Sequence, residues 1–551
     1  MNRFAIITVL AFSAMFICTS CDSEQGDNPK EFTVTFETGY GGSIVEPQKV
    51  KGGEKATEPE EAPTRSGYTF VAWYKEAECS NEWKFDDDKV TADVTLYAKW
   101  IADENETIII TTVQSSKVFI DIQGYSSATI DWGDGSSDIY ALTTTEWSYC
   151  THTYPDQSPR TITITGGNIT KLDCRNDRVG PFDGMIYLRV QQITALNISG
   201  NTTLTYLNCS GNQLKNIKLN GLISLETLNC SNNQLTYLDV SENTALVTLS
   251  CASNQLSSLD VSENIALSEL HCSQNQLSHL DVSKNTALVT LSCSNNKLSS
   301  LDVSKNTALT HLNCTNNQLT NLDVNGSVEL TEIYCARNQL TILDLSVLTA
   351  LVRIDCSENH LSSLDVSKSN KLKSLRCNNN ELLSLDISKN TFLEELYCSS
   401  NKLTNLIVGK STSLLRLVCD NNRLTNLDVS GCIKLNNLHS QNNQLSSLDV
   451  SGNTELAALR CYNNQLKNLD VSGLNILMYF DCSFNKMDAE ALNALFRTLN
   501  STPIGTLLPW GVKMSYKDIH IGNNGPDYDG SGTSGCNRSI AQAKSWKVYD
   551  N

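Results

Sequence analysis

The sequence predicts a solenoid of parallel β-strands built from 21-residue repeats, preceded by two small β-rich domains and closed by an α/β cap. Three observations carry that prediction. Cysteines recur at a fixed interval, at Cys209, Cys230, Cys251, Cys272, Cys293, Cys314, Cys335, Cys356, Cys377, Cys398 and Cys419, then at Cys461 and Cys482, with Ser440 in the skipped position. Around each, one pattern repeats, LxxLxCxxNxLxxLDVSxNTA, clearest from Leu246 through Cys251, Asn254, Leu256, Leu259 and Val261. Outside the repeats the periodicity changes, to strand-like alternation upstream and a helix stripe downstream. Self-similarity at a fixed short period marks a stack of units that bury their apolar faces only against their neighbours.

The chain has 551 residues and a formal net charge of -18, which argues against nucleic acid or an anionic membrane face as partner, since both attract basic surfaces. At the start, Arg3 precedes an apolar run from Phe4 to Ile17, too short to span a bilayer, and small residues Thr19 and Ser20 precede Cys21. Residues 1–20 therefore read as a signal peptide. A small residue before a cysteine resembles the lipobox of bacterial lipoproteins, which implies acylation of Cys21 and a lipid anchor as the sole membrane attachment; Cys18 replaces the usual Leu three positions before it. Asp22, Glu24 and Asp27, within a linker at 21–30, look like the surface-export signal of Bacteroides-type lipoproteins. The implied address is the outer membrane, with the repeats exposed at the cell surface.

Residues 31–101 alternate apolar and polar residues in runs such as Phe32–Phe36 and Val94–Trp100, broken by Gly41-Gly42 and Gly52-Gly53. Pro63-Thr64-Arg65-Ser66-Gly67-Tyr68-Thr69-Phe70, Trp73-Tyr74 and Leu96-Tyr97-Ala98-Lys99-Trp100 are similar to the Listeria-Bacteroides repeat, also called the internalin B-repeat, although Ala72 stands where that family has Gly. The resemblance implies a β-grasp spacer or weak adhesive unit. Residues 105–168 contain Ile130-Asp131-Trp132-Gly133-Asp134-Gly135 and His152-Thr153-Tyr154-Pro155, which resemble a PKD-type β-sandwich. Asp131 and Asp134 suit a turn whose carboxylates bond their own backbone better than a metal site. His152 has no cysteine, histidine or serine at a catalytic spacing and reads as structural.

Residues 204–485 carry the leucine-rich-repeat pattern, with fourteen ladder asparagines from Asn212 to Asn485. Residues 169–203 form an N-terminal flank with a degenerate coil, in which Ile186, Leu188, Ile193, Leu196 and Ile198 take the apolar positions and Leu188 the cysteine column. This resembles the cysteine-ladder class of internalins. The favoured reading of the thiols is a reduced, buried column rather than disulfides or metal ligands, because free Cys packs as a small hydrophobe and no CxxC cluster is present. Stacked side chains also point the same way, with Cβ atoms slightly too far apart for a bridge. The Asn column satisfies backbone groups at the bend after the strand. Asp239, Asp260, Asp281, Asp302, Asp323, Asp344, Asp365, Asp386, Asp428, Asp449 and Asp470 form an outer column. Like charges about 5 Å apart repel by roughly 0.8 kcal/mol per neighbour in water. Either each carboxylate bonds the following turn, the favoured reading, or cations relieve the repulsion.

In such repeats the strand lines the concave face, and alternate residues point outward: those three before, one before and one after each cysteine. Residues 204–485 contain six Tyr, six Arg and five His, and twelve of these seventeen fall in the outward columns, where even placement would give about two or three. Tyr and Arg dominate binding hot spots. The later coils are richest: Glu332, Tyr334, Arg353, Arg376, Tyr397, Arg416, His439, Arg460, Tyr462 and Tyr479 are the expected ligand-binding residues. The expected partner is a protein on a host or neighbouring cell, with a glycan, or no specific ligand at all, as alternatives. No nucleophile elbow, HExxH or paired-carboxylate setting is present, so no catalytic residue or cofactor is expected.

Residues 486–551 form the cap. Leu492, Leu495, Phe496 and Leu499 make a helix stripe that covers the last coil. The remainder reads as a strand, a glycine loop at Gly530–Gly535, a helix and a final strand.

Overall fold

The computed structural model describes residues 30–550 except 40–41, 65–67, 103–106, 114, 167, 177, 183–184, 189–191, 509–512, 527 and 529. The expected signal peptide, Cys21 and the linker to residue 29 lie outside the described residues. The chain divides into two units, residues 1–103 and 104–551.

In the first, β1 (Glu31–Glu37), β2 (Gln48–Lys51), β3 (Tyr68–Tyr74) and β4 (Val94–Ala102) form one sheet in the order β2–β1–β4–β3. β1 and β4 run parallel, which requires a crossover, and the outer pairs are antiparallel. Alternation along β1 turns Val34 and Phe36 inward against Trp73, Trp83, Val90 and Leu96. Phe36 packs edge-on to Trp73 at 4.8 Å, so this part of the aromatic set is core.

The second unit begins with β5 (Thr107–Thr112), β6 (Lys117–Gly124), β7 (Ser127–Asp131), β8 (Ser137–Ala141), β9 (Ser148–Thr153) and β10 (Arg160–Thr165). One layer is β5, β10, β7 and β8; the other, β9 and β6, continues through β11 (Ile169–Asp173) into the coils. Their inner residues, from Ile108 to Ile169 and including the fully buried Trp132, belong to the same core cluster as Leu204 and all later coils. The expected boundary at residue 168 is thus no break in the core: this segment covers the first coil as an N-terminal cap.

The expectation for Leu188 is overturned. β11 pairs in parallel with Tyr206–Asn208, Asp173 opposite Asn208, so the buried Cys174 heads the cysteine column beside Cys209. Residues around Leu188 instead form an antiparallel hairpin, β12 (Arg178–Phe182) with β13 (Met185–Leu188). Cys174 and Cys209 lie 35 residues apart, one 21-residue repeat plus a 14-residue insertion. The coil closes through β14 (Ile193–Asn197), which pairs with β5.

From Tyr206–Asn208 to Tyr479–Asp481 the coils contribute three-residue strands stacked in parallel and in register. With β9, β6, β11 and two strands of the cap they make a sheet of 19 strands. In each coil the middle residue is buried and its two neighbours face outward, as with Leu228 between Thr227 and Asn229. Helix α1 (Ala489–Thr498) follows, its N-terminus capped by Asp488 accepting from the Ala491 amide. Leu492, Leu495 and Phe496 join the core of the last coil, as the helix stripe predicts. The strands Asp518–His520 and Lys547–Tyr549 then extend the sheet. The glycine stretch is not a loop: Ser531–Gly535 is a helical turn. A Cβ on Gly532 would come within 2.1 Å of the Met487 carbonyl, so glycine there serves close backbone packing.

Candidate binding face on the coil strands

The strand face is held by what lies beneath it. Every ladder cysteine from Cys209 to Cys482 is fully buried and carries a free thiol. Burial pushes the thiols of Cys230, Cys272, Cys314 and Cys377 up to about 12, which suppresses the reactive thiolate. Beside them each ladder asparagine ties two coils together. The Asn254 amide donates to the carbonyls of Cys230 and Cys251 at 3.0 and 3.1 Å, and its oxygen accepts from the Leu235 amide at 2.9 Å. A second amide column, absent from the sequence reading, also ties coil to coil, but only as donor: the amide oxygens of Asn264, Asn285, Asn306, Asn390 and Asn453 have no hydrogen-bond partner among the described residues. Asn264 donates to Val240 and Asn243 carbonyls at 2.9 and 2.8 Å, and a serine hydroxyl takes the role at Ser327 and Ser369. Its signal was the Asn of the NTA triplet.

The Asp column bonds its turns. Each carboxylate accepts from the amide two residues on, as Asp302 does from Ser304 at 2.8 Å. Asp131 and Asp134 do likewise from Gly133 and Ser136. His152 is less solitary than its sequence context implies: it pairs with Asp134 at 2.7 Å and stacks on Trp132. Among the described residues no group of three or more His, Cys, Asp or Glu could hold a metal ion, and no helix is long and apolar enough to cross a membrane.

The expected ligand-binding residues lie on the outward face of the sheet, and the structure gathers most of them into three groups. In the first, Arg353 pairs with Glu332 at 3.1 Å and the Tyr334 hydroxyl donates to the same carboxylate at 2.8 Å. In the second, the Arg376 guanidinium lies 5.0 Å from the centre of the Tyr397 ring, and Arg416 donates to the Tyr397 hydroxyl at 3.3 Å. In the third, Arg460 covers the Tyr479 ring at 4.9 Å. His439 stands between Arg416 and Arg460, and burial and then Arg460 hold its pKa below the ordinary histidine value. Tyr462 is half-buried just after Cys461, beyond the end of the strand, and among the described residues makes no side-chain hydrogen bond to the others.

Sequence reasoning missed four residues on this face. His520 packs on Tyr479 at 5.5 Å and stacks on Tyr549 at 4.7 Å, so the third group runs on into the cap. The signal was Asp518-Ile-His-Ile-Gly-Asn-Asn524, a coil strand with Ile521 in the cysteine column. Asn524 there bonds the Cys482 and Ile521 carbonyls in the manner of the ladder. Ser374 and Glu395 sit in an outward column and line a cavity together with Arg353 and Arg376.

The model of the Listeria-Bacteroides repeat domain matches residues 32–99. Two curated proteins of Evansella cellulosilytica, described as a Gly-rich membrane protein and a membrane protein, are 41% and 37% identical over 70 residues. Each alignment covers 13% of this chain, which spans only 8% and 10% of their lengths. A solved structure described as the functional domain of InlJ from Listeria monocytogenes, including a cysteine ladder, is 31% identical; the match covers 67% of this chain and 78% of that one with a TM-score of 0.54.

Proposed function

Because the chain belongs to the internalin-type leucine-rich-repeat proteins with a cysteine ladder, we propose that it is a cell-surface recognition protein, acting as an adhesin that binds a protein ligand on the strand face of its later coils. Fold alone does not decide this. The observation that carries it is how the tyrosines are presented. Arg376 covers a face of Tyr397, Arg460 a face of Tyr479, and His520 a face of Tyr549. A sugar ring stacks on an open aromatic face. Here one face of each of these three rings is occupied by a neighbour, which favours hydroxyl and guanidinium edges as the ligand contacts. Such directed polar edges on rigid rings suit a protein surface and match the composition of hot spots. Binding without catalysis is part of the same reading, as is acylation of Cys21 that tethers the chain at the outer membrane surface.

The test is a glycan array followed by capture from host-cell extracts with the full chain, then with Tyr397→Ala and Arg416→Ala. The expected result is a protein partner and no glycan, with affinity lowered at least about tenfold by either substitution. Undiminished binding by both variants, or a glycan as the ligand, overturns it. Palmitate labelling that disappears in Cys21→Ser tests the anchor.

A further inference from the structure

The strand face of the coils is not uniformly flat. Where Ser374 stands in its column, flanked by Arg353 one coil before and Glu395 one coil after, the small side chain leaves a depression of about 480 Å³. Its walls carry both signs of charge, and their engagements differ. Arg353 is committed to Glu332 at 3.1 Å, and Lys373 to Glu394 at 3.1 Å. Arg376 is laid over the ring of Tyr397. Among the described residues, then, each cation at the rim already has an anionic or aromatic partner. The anions do not balance this. Asp355 spends Oδ1 on the amide and hydroxyl of Ser357, and among the described residues its Oδ2 has no partner and Glu395 makes neither an ion pair nor a side-chain hydrogen bond. The lining carries three carboxylates, Asp355, Glu394 and Glu395, against three cations, and Glu332, just outside it, takes up the charge of Arg353, in a chain of formal net charge -18.

We propose that this depression is the anchor pocket for a single basic side chain, Lys or Arg, projected by the protein partner, with Glu395 and Asp355 as its counter-charges and Ser374 as its floor. A ligand anion would find only Arg376 and would have to displace it from Tyr397, while meeting two carboxylates. A ligand cation meets those two carboxylates and breaks nothing. The volume admits one long side chain, and the rim pairs Arg353–Glu332 and Lys373–Glu394 fix the walls around it. The long-range field of an acidic chain adds attraction during encounter.

This inference rests on the protein-binding reading of the strand face, but it is tested without the partner, so the failure of either is recognisable by itself. The full chain is titrated with Nα-acetyl-L-lysine amide, Nα-acetyl-L-arginine amide and Nα-acetyl-L-glutamate amide, followed by saturation-transfer NMR at low salt. The lysine and arginine amides are expected to bind and the glutamate amide not. Glu395→Gln, which keeps shape and removes charge, is expected to weaken the lysine amide by up to about fivefold, the range of an exposed ion pair. Ser374→Trp is expected to abolish its signal; a thermal melt checks that this variant is folded, and Glu395→Gln stands alone if it is not. Equal or stronger binding of the glutamate amide, an unchanged response in Glu395→Gln, or no response to the cationic amides overturns the pocket.

Discussion

At the scale of single residues the molecule depends on side chains that cannot be seen from outside. Among the eighteen described cysteines only Cys79 and Cys536 are more than marginally exposed, and the rest are buried with thiol pKa values raised wherever a shift is resolved. Thiolates are the reactive species, so brief maleimide treatment of the native chain should label Cys79 and Cys536 and spare the ladder, with labelling of the others appearing only in denaturant. Mass spectrometry that found Cys314 or Cys335 modified at the same rate would mean that the column opens. The ladder asparagines permit a sharper test. Asn338 donates to the carbonyls of Cys314, Cys335 and Ala336 and accepts from the Leu319 amide. Alanine there leaves several buried backbone groups unpaired, at a cost of about 2–4 kcal/mol. Urea unfolding of Asn338→Ala within 1 kcal/mol of the parent would remove the ladder from the account.

At the scale of elements, the sequence was most legible where the chain repeats and least where it interrupts the repeat. Period and column chemistry identify the coils because each performs the same packing task. The hairpin before them misleads because Met185–Leu188 is itself a strand, with apolar residues at intervals that fall in register with the coils. Leu172-Asp-Cys174 was the better clue, displaced by the insertion. At the other end the strands at Asp518–His520 and Lys547–Tyr549 were legible as strands, but the inserted helix breaks the repeat and hides that they continue the coil sheet, and with it the place of His520 and Tyr549 on the face. Charged residues of the face were harder still, since spacing does not reveal which carboxylates, Glu395 among them, are left without a side-chain partner among the described residues. The cap also contains a position with one admissible residue. Gly532→Ala would drive a Cβ into the Met487 carbonyl at 2.1 Å, and backbone on both sides leaves little room to yield. The expected loss is about 2–3 kcal/mol, with faster hydrogen exchange confined to residues 518–549. A variant as stable as the parent, with native exchange there, would refute the packing of this turn on the last coil.

At the scale of the whole molecule, the Asp column decides how the solenoid responds to acid. Stacked carboxylates repel, yet Asp239, Asp260, Asp281, Asp302, Asp344, Asp365, Asp428 and Asp449 all have pKa values below the ordinary 3.8, because hydrogen bonds from the serine two residues on outweigh burial and, at Asp260, Asp302, Asp365 and Asp428, the charge of a neighbouring aspartate. The turn wins over the repulsion. The folded chain therefore prefers these groups ionised more strongly than the unfolded chain does. Stability from them is fully present above the unfolded value and is lost as pH falls through the lower folded values. The melting temperature should be level near neutrality and fall as pH drops below about 4, because one small contribution recurs in coil after coil. Replacing Asp302 and Asp344 together by Asn keeps the acceptor oxygen of each turn and removes the titration, so the acid limb should become shallower while the neutral plateau hardly moves. If cations rather than turns neutralised the column, both results would change. A chelator would then lower the neutral melting temperature, since an ion bound only to the folded chain stabilises it by mass action. We expect 1 mM EDTA, added as roughly a thousandfold excess over protein, to leave that temperature unchanged, and a downward shift would transfer the column from turn chemistry to cation binding.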